Sequence, residues 1–176
     1  LNGADSGRIR QLNDLLTGAG FDVSIAEDIE SVIWSKFVLN CAVNPVSAIT
    51  GLRTGEIGAS EPARDFQQAI LEEVLEVVQA RGISLGDTDP RATVEGFTGR
   101  LFNRPSMLQH MDAGLATEID SLNGAVVREG QRLGVDTPFN QALTLLVKAR
   151  NAQLIQALHG PPIDYQALEA SGQADT

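Results

Sequence analysis

The stretch IWSKFVLNCAVNP, residues 33–45, constrains the fold more than any other part of the chain. Read as a helix, it is apolar on nearly every side, with Ile33, Trp34, Phe37, Val38, Leu39, Cys41, Ala42 and Val43. Such a helix belongs in a core. Lys36, Asn40 and Asn44 interrupt it at four-residue steps. Four residues advance a helix by about 40° beyond a full turn, so these three form one gently slanting polar line. A buried ammonium needs a partner, and buried amides need hydrogen bonds. Two readings stay open on the residues alone. The line is a hydrogen-bonded seam to another helix, or its lysine snorkels to water. Or it borders a wet cleft in which Lys36 donates a proton and the amides orient a ligand.

The rest of the chain is arranged around that helix. Residues 6–17 carry Ile9, Leu12, Leu15 and Leu16 at helical spacing, and Gly18 and Gly20 stop them. FDVSI, residues 21–25, alternates and reads as a short strand or extended segment. GAGFDV lacks a third glycine and follows a helix, so it is a helix stop rather than a dinucleotide fingerprint. The apolar helix is expected over about 29–44, with Pro45 ending or kinking it. AITGLRTGEIG reads as a turn-rich connector.

A helix to about Arg81 follows, with Ser60 as its cap. Its carboxylates Glu72, Glu73 and Glu76 are expected on a solvated face. Residues 91–103 read as a short helix. The segment from Asn103 to Gly134 is expected to open as a loop and become one long helix with Ile119, Leu122, Val126 and Leu133 buried. In it, Ser106 precedes Gln109 by three, a capping-box spacing, and a helix N-terminus with a serine also suits a carboxylate ligand. Glu118 shares a face with Leu115 and Leu122 and is a natural counter-ion for Lys36. Thr137 and Pro138 open the last long helix, and residues 161–176 read as a tail.

A net charge of −10 argues against sequence-independent nucleic-acid binding. No apolar run approaches the length of a membrane span, and the opening LNGAD has no secretory character. The single cysteine, Cys41, excludes an internal disulfide and fits a reducing, cytoplasmic setting. Inside the apolar helix it reads as a small buried hydrophobe rather than a nucleophile. Neither His110, whose acidic neighbour in sequence is Asp112, nor His159 has metal-ligand spacing, so no metal is expected. The chain does not begin with Met, so it is expected to be part of something longer.

Five motifs in order then carry a resemblance: WSKFVLNCAVNPVSA from Trp34 to Ala48, the pair Gly55 and Glu56, RPSMLQ from Arg104 to Gln109, TEIDSLNG from Thr117 to Gly124, and GVDTP from Gly134 to Pro138. Together they resemble the C-terminal half of the ketopantoate reductases, or 2-dehydropantoate 2-reductases. The resemblance implies a mainly α fold: an all-helical C-terminal domain of the 6-phosphogluconate-dehydrogenase-like type over residues 29–160. Residues 1–28 would be a short αβ remnant at the edge of a Rossmann-type dinucleotide-binding domain, and 161–176 a tail.

It implies NADPH-dependent reduction of a 2-oxo acid, most simply 2-dehydropantoate to pantoate in pantothenate biosynthesis. Lys36 would be the general acid. Asn40, Asn44 and Ser106 would contact substrate, and Glu118 would lie beside the nicotinamide end of the cofactor. NADPH would be held mainly by an N-terminal domain outside this sequence, so this chain alone is expected to be inactive. A small-molecule substrate, no nucleic acid and no membrane are the partners expected, and a homodimer is compatible with the reading. The resemblance has one departure. Pantoate-forming members carry an amide ahead of the Gly-Glu pair, and this chain has Thr54. That leaves open a related 2-hydroxyacid dehydrogenase with another substrate. A non-catalytic helical dimerisation or interaction module is the further alternative.

Overall fold

The computed structural model describes residues 7–174 except residue 88. Among the described residues there are nine helices and no strand: α1 (Gly7–Gly18), α2 (Ile29–Thr50), α3 (Thr54–Ala59), α4 (Glu61–Ala80), α5 (Pro90–Arg100), α6 (Ser106–Asp112), α7 (Asn123–Leu133), α8 (Pro138–His159) and α9 (Tyr165–Ala174). Helix α2 is the axis, and α3, α4, α5, α6 and α8 all pack against it. Val38, Cys41, Ala42, Val43 and Val46 of α2 meet Ile70 and Val74 of α4, Met107 and Met111 of α6 and Leu143 and Val147 of α8 in one core.

Helix α1 buries nothing. It ends as its glycines require: Phe21 N bonds Leu16 O at 3.0 Å, Gly20 N bonds Thr17 O at 3.0 Å, and Gly20 is left-handed at φ 88°. The segment 21–25 that alternation suggested as a strand joins no ladder and stays irregular among the described residues.

Helix α2 corrects the boundary expected at Pro45. It runs five residues beyond the proline to Thr50 and stops at left-handed Gly51. A proline in a helix interior leaves the carbonyl four residues back without its donor, here that of Cys41. Asn123 Nδ2 supplies one at 3.1 Å, and Gln67 Nε2 bonds the next carbonyl, Ala42 O, at 3.3 Å. With both carbonyls satisfied from outside, the helix continues. At this length α2 is, among the described residues, the one helix long and apolar enough to cross a membrane, contrary to the shorter run read from sequence. Half of that window is buried inside the protein, as befits a core helix.

Other expectations change in the same way. The connector contains α3, and the tail contains α9. Ser60 makes no side-chain cap bond. The single long helix from Asn103 onward is two, because Gly114 at φ 63° ends α6: Leu115 N bonds His110 O at 2.9 Å and Gly114 N bonds Met111 O at 3.0 Å. A side chain at Gly114 would meet His159, whose Nε2 lies 3.2 Å from Ala113 O.

Glu73 is not on a solvated face. It is 7% exposed and accepts from Phe139 N at 2.8 Å, Asn140 N at 2.9 Å and Asn140 Nδ2 at 2.6 Å. It serves α8 where Thr137 makes no side-chain cap bond, and an anion is favoured at a helix N-terminus.

Candidate active site

The polar line on α2 runs from solvent into the core. Lys36 is exposed, Asn40 is half-buried, and Asn44 is 9% exposed. The first half of α2 is open, with Ile29, Val32 and Ile33 all more than half exposed, whereas residues 41–48 are all buried. Among the described residues Lys36 makes no hydrogen bond or ion pair, and neither do the side chains of Asn40 and Asn44 make a hydrogen bond. The seam to another helix, with paired amides, is therefore not what the fold builds here.

The second group stands on α6 and the loop after it. Pro105 is the residue before α6 and Ser106 opens it. Ser106 does not form the capping box. Its Oγ donates to Glu118 Oε1 at 3.4 Å, and Gln109 Nε2 donates to Arg104 O at 2.8 Å. The turn at Gly114 folds the chain back and brings Glu118 to Ser106. Asn151 of α8 fixes that return, because its Nδ2 donates to Leu115 O at 2.8 Å and its Oδ1 accepts from Thr117 N at 3.2 Å.

The other Glu118 oxygen, Oε2, is 3.4 Å from His110 Nδ1, which is sealed from solvent and has no hydrogen bond. His110's acidic neighbour is thus Glu118, whereas Asp112 pairs with Arg104. The Lys36–Glu118 ion pair expected from sequence is not formed.

Helix α2, which carries the first group, packs on α6, which opens at Ser106. The structure brings Ser106 and Glu118 into contact and sets Lys36, Asn40 and Asn44 along the neighbouring helix. Grooves of about 610 Å³ between α4 and α5, near Gln67, Glu72 and Arg91, and of about 200 Å³ near Trp34 and Arg81, contain none of these five residues. Cys41 is fully buried, and burial pushes its thiol well above the ordinary range, so it has no nucleophilic part. Among the described residues no group of three or more His, Cys, Asp or Glu could hold a metal.

Sequence reasoning missed His110, Asn123 and Asn151 as residues that shape these groups. A signal for the first and last was present: a glycine followed by leucine after a helical run is the sequence of a helix stop, and it folds 115–118 back over α6.

Helix α2, with its lysine and two amides, packs against the helix that opens at Ser106, and Glu118 meets that serine. Residues 28–151 match the family described as ketopantoate reductase PanE/ApbA C terminal, and the chain belongs to that family.

The 2-dehydropantoate 2-reductase of Archaeoglobus fulgidus is 32% identical over 148 residues, 84% of this chain and 50% of that protein. That of Pyrobaculum aerophilum is 35% identical over 144 residues, 82% of this chain and 52% of that protein. The PanE/ApbA family ketopantoate reductase from Ralstonia eutropha JMP134 superposes with a TM-score of 0.79 at 30% identity, over 85% of this chain and 50% of its own. A D-mandelate dehydrogenase with NADH and anilino(oxo)acetate gives a TM-score of 0.77 at 28% identity, over 86% of this chain and 64% of its own. The chain spans about half the length of the curated relatives it matches.

Proposed function

We propose that this chain is the substrate-side domain of a nicotinamide-dependent reductase that converts a 2-oxo acid to the 2-hydroxy acid, with 2-dehydropantoate as substrate and NADPH as reductant. Residues 29–160 are the catalytic domain in this reading, residues 1–28 the edge of the dinucleotide-binding domain, and 161–176 a tail. The observation that carries it is Lys36: a cation with no partner among the described residues, at the solvent end of a line of amides, on a helix that packs against α6, which opens at Ser106.

The residues present suit one end of the cofactor. Among the described residues Glu118 is an acceptor that meets only a long Ser106 contact and the His110 ring, so its oxygens have capacity for the amide or hydroxyl donors of a nicotinamide nucleoside. The phosphates would be held by a domain outside this sequence. When bound, the cofactor would supply a hydride to the ketone carbon. Negative charge then builds on the ketone oxygen, where the Lys36 ammonium stabilises it and gives up a proton. Solvent returns that proton to Lys36. Asn40 and Asn44 hold the substrate by their amides, and Ser106 donates to its carboxylate. A cytoplasmic enzyme, active as a homodimer, completes the reading.

One observation favours a second substrate. Thr54 is fully buried and bonds other protein groups, so it offers nothing to a ligand where an amide would. The likeness to a D-mandelate dehydrogenase fits the same alternative, a 2-hydroxyacid dehydrogenase for a different acid.

The test is an assay of the whole protein with NADPH or NADH and a set of 2-oxo acids, followed by loss of reduced-nicotinamide absorbance. Fastest turnover of 2-dehydropantoate with NADPH is expected. Preference for another 2-oxo acid moves the assignment to the dehydrogenase reading. No turnover of any of them leaves an interaction module and contradicts the proposal.

A further inference from the structure

The segment that delivers Ser106 is fastened by three consecutive residues at the start of α3. Residues 101–104, between α5 and α6, are all exposed. Arg53 Nη1 donates to Phe102 O at 3.3 Å. Thr54, with no exposed surface, donates from its backbone N to Asn103 O at 3.2 Å, and its Oγ1 bonds Leu101 O and lies 3.1 Å from Asn103 Oδ1. Gly55 lies under the Phe102 ring, and a Cβ there would stand 2.5 Å from it. Further along, Gly58 meets Thr98 of α5, where a Cβ would lie 2.6 Å from Thr98 O. The segment is thus clamped by its backbone carbonyls and one ring, two residues before Pro105 and three before Ser106.

We propose that Thr54 is a positioning residue for the substrate site: its hydroxyl locks residues 101–103 on α3 and thereby holds Ser106 where it meets the 2-oxo acid. This rests on the function proposed above. The hydroxyl suits the task because one short side chain reaches both ends of the segment, Leu101 and Asn103, from inside the protein. Without it, those groups can turn to water, and the segment has alternatives. A site that is competent only part of the time binds with an apparent affinity lowered by that fraction. Once substrate has bound, Ser106 is in place, so turnover from the complex is spared.

The test uses the whole protein with Thr54→Val, which removes the hydroxyl, and Thr54→Ser, which keeps it. Steady-state kinetics on the best 2-oxo acid are measured beside hydrogen exchange of the residue-54 amide, which bonds Asn103 O, and of the Leu101 amide. For Thr54→Val, faster exchange of those two amides and a KM raised about tenfold, with kcat within about threefold of the parent, are expected; a tenfold rise corresponds to a competent fraction of about a tenth. Thr54→Ser should restore both.

Faster exchange with an unchanged KM overturns the positioning role, and unchanged exchange overturns the clamp itself. A fall in melting temperature with KM and local exchange unchanged also overturns it, because a merely structural threonine predicts that pattern. If the parent protein reduces no 2-oxo acid, the function proposed above fails and substrate positioning with it. Exchange in Thr54→Val still decides the clamp separately.

Discussion

Asn123 donates from Nδ2 to the carbonyl of Cys41 at 3.1 Å, the carbonyl that Pro45 leaves without an intrahelical donor. Its other Nδ2 proton goes to Asn140 Oδ1 at 2.9 Å, and both asparagines are fully buried. The polar residue of one helix thus completes the backbone of another inside an apolar core. Replacing Asn123 by Leu should cost about 1–3 kcal/mol, the penalty of an unpaired buried acceptor. Pro45→Ala returns an N–H to α2, so the Asn123→Leu loss should shrink in that background. Denaturant melts of the four variants test this, and additive losses would contradict it.

Glu73 anchors α8 through two backbone N–H groups and one amide. Glu73→Ala should cost about 2 kcal/mol or more, as the loss of a charged, buried helix cap does. Glu76→Ala, at an exposed position of the same helix, should stay within about 0.5 kcal/mol. Equal melting temperatures for the two variants would show that the Glu73 network contributes nothing.

Much of this was legible in the sequence. The core helix, the lysine–asparagine line, the glycine stop at α1 and the buried Cys41 follow from spacing and residue type, whereas the family came from a resemblance of motifs. What was not legible depended on contacts distant in sequence. Pro45 signals a helix end only until Asn123 and Gln67 arrive from elsewhere in the chain. A glutamate in a surface-like run looks solvated until the N-terminus of α8 is laid against it. Glu118 is a plausible partner for Lys36 by charge alone, but the fold at Gly114 gives it to Ser106 and His110 instead.

Burial holds the Cys41 thiol well above its ordinary range. A disulfide reagent should therefore leave it unmodified in the native protein at pH 8 and titrate one thiol on denaturation. Rapid modification without unfolding would place Cys41 at the surface.

The Arg91 guanidinium holds Glu72 below the usual carboxylate range, through a bidentate pair at 2.6 and 2.5 Å. A depressed carboxyl contributes stability above its unfolded value, and that contribution is lost as pH falls through the folded value. Both partners are about half exposed, so Glu72→Gln should cost only about 0.5 kcal/mol at pH 7. The difference from the parent should fade below about pH 4. A gap that widens in acid would contradict the sign of the shift.

The central claim is that Lys36 supplies the proton for 2-oxo acid reduction. Lys36→Ala in the whole protein measures it most directly, with steady-state kinetics beside a thermal melt. General acid catalysis is worth about 10²–10⁴-fold in rate, so kcat should fall by that range while KM changes less. The melting temperature should hold, because Lys36 is exposed and makes no hydrogen bond or ion pair among the described residues. A kcat equal to that of the parent would remove Lys36 from the reaction.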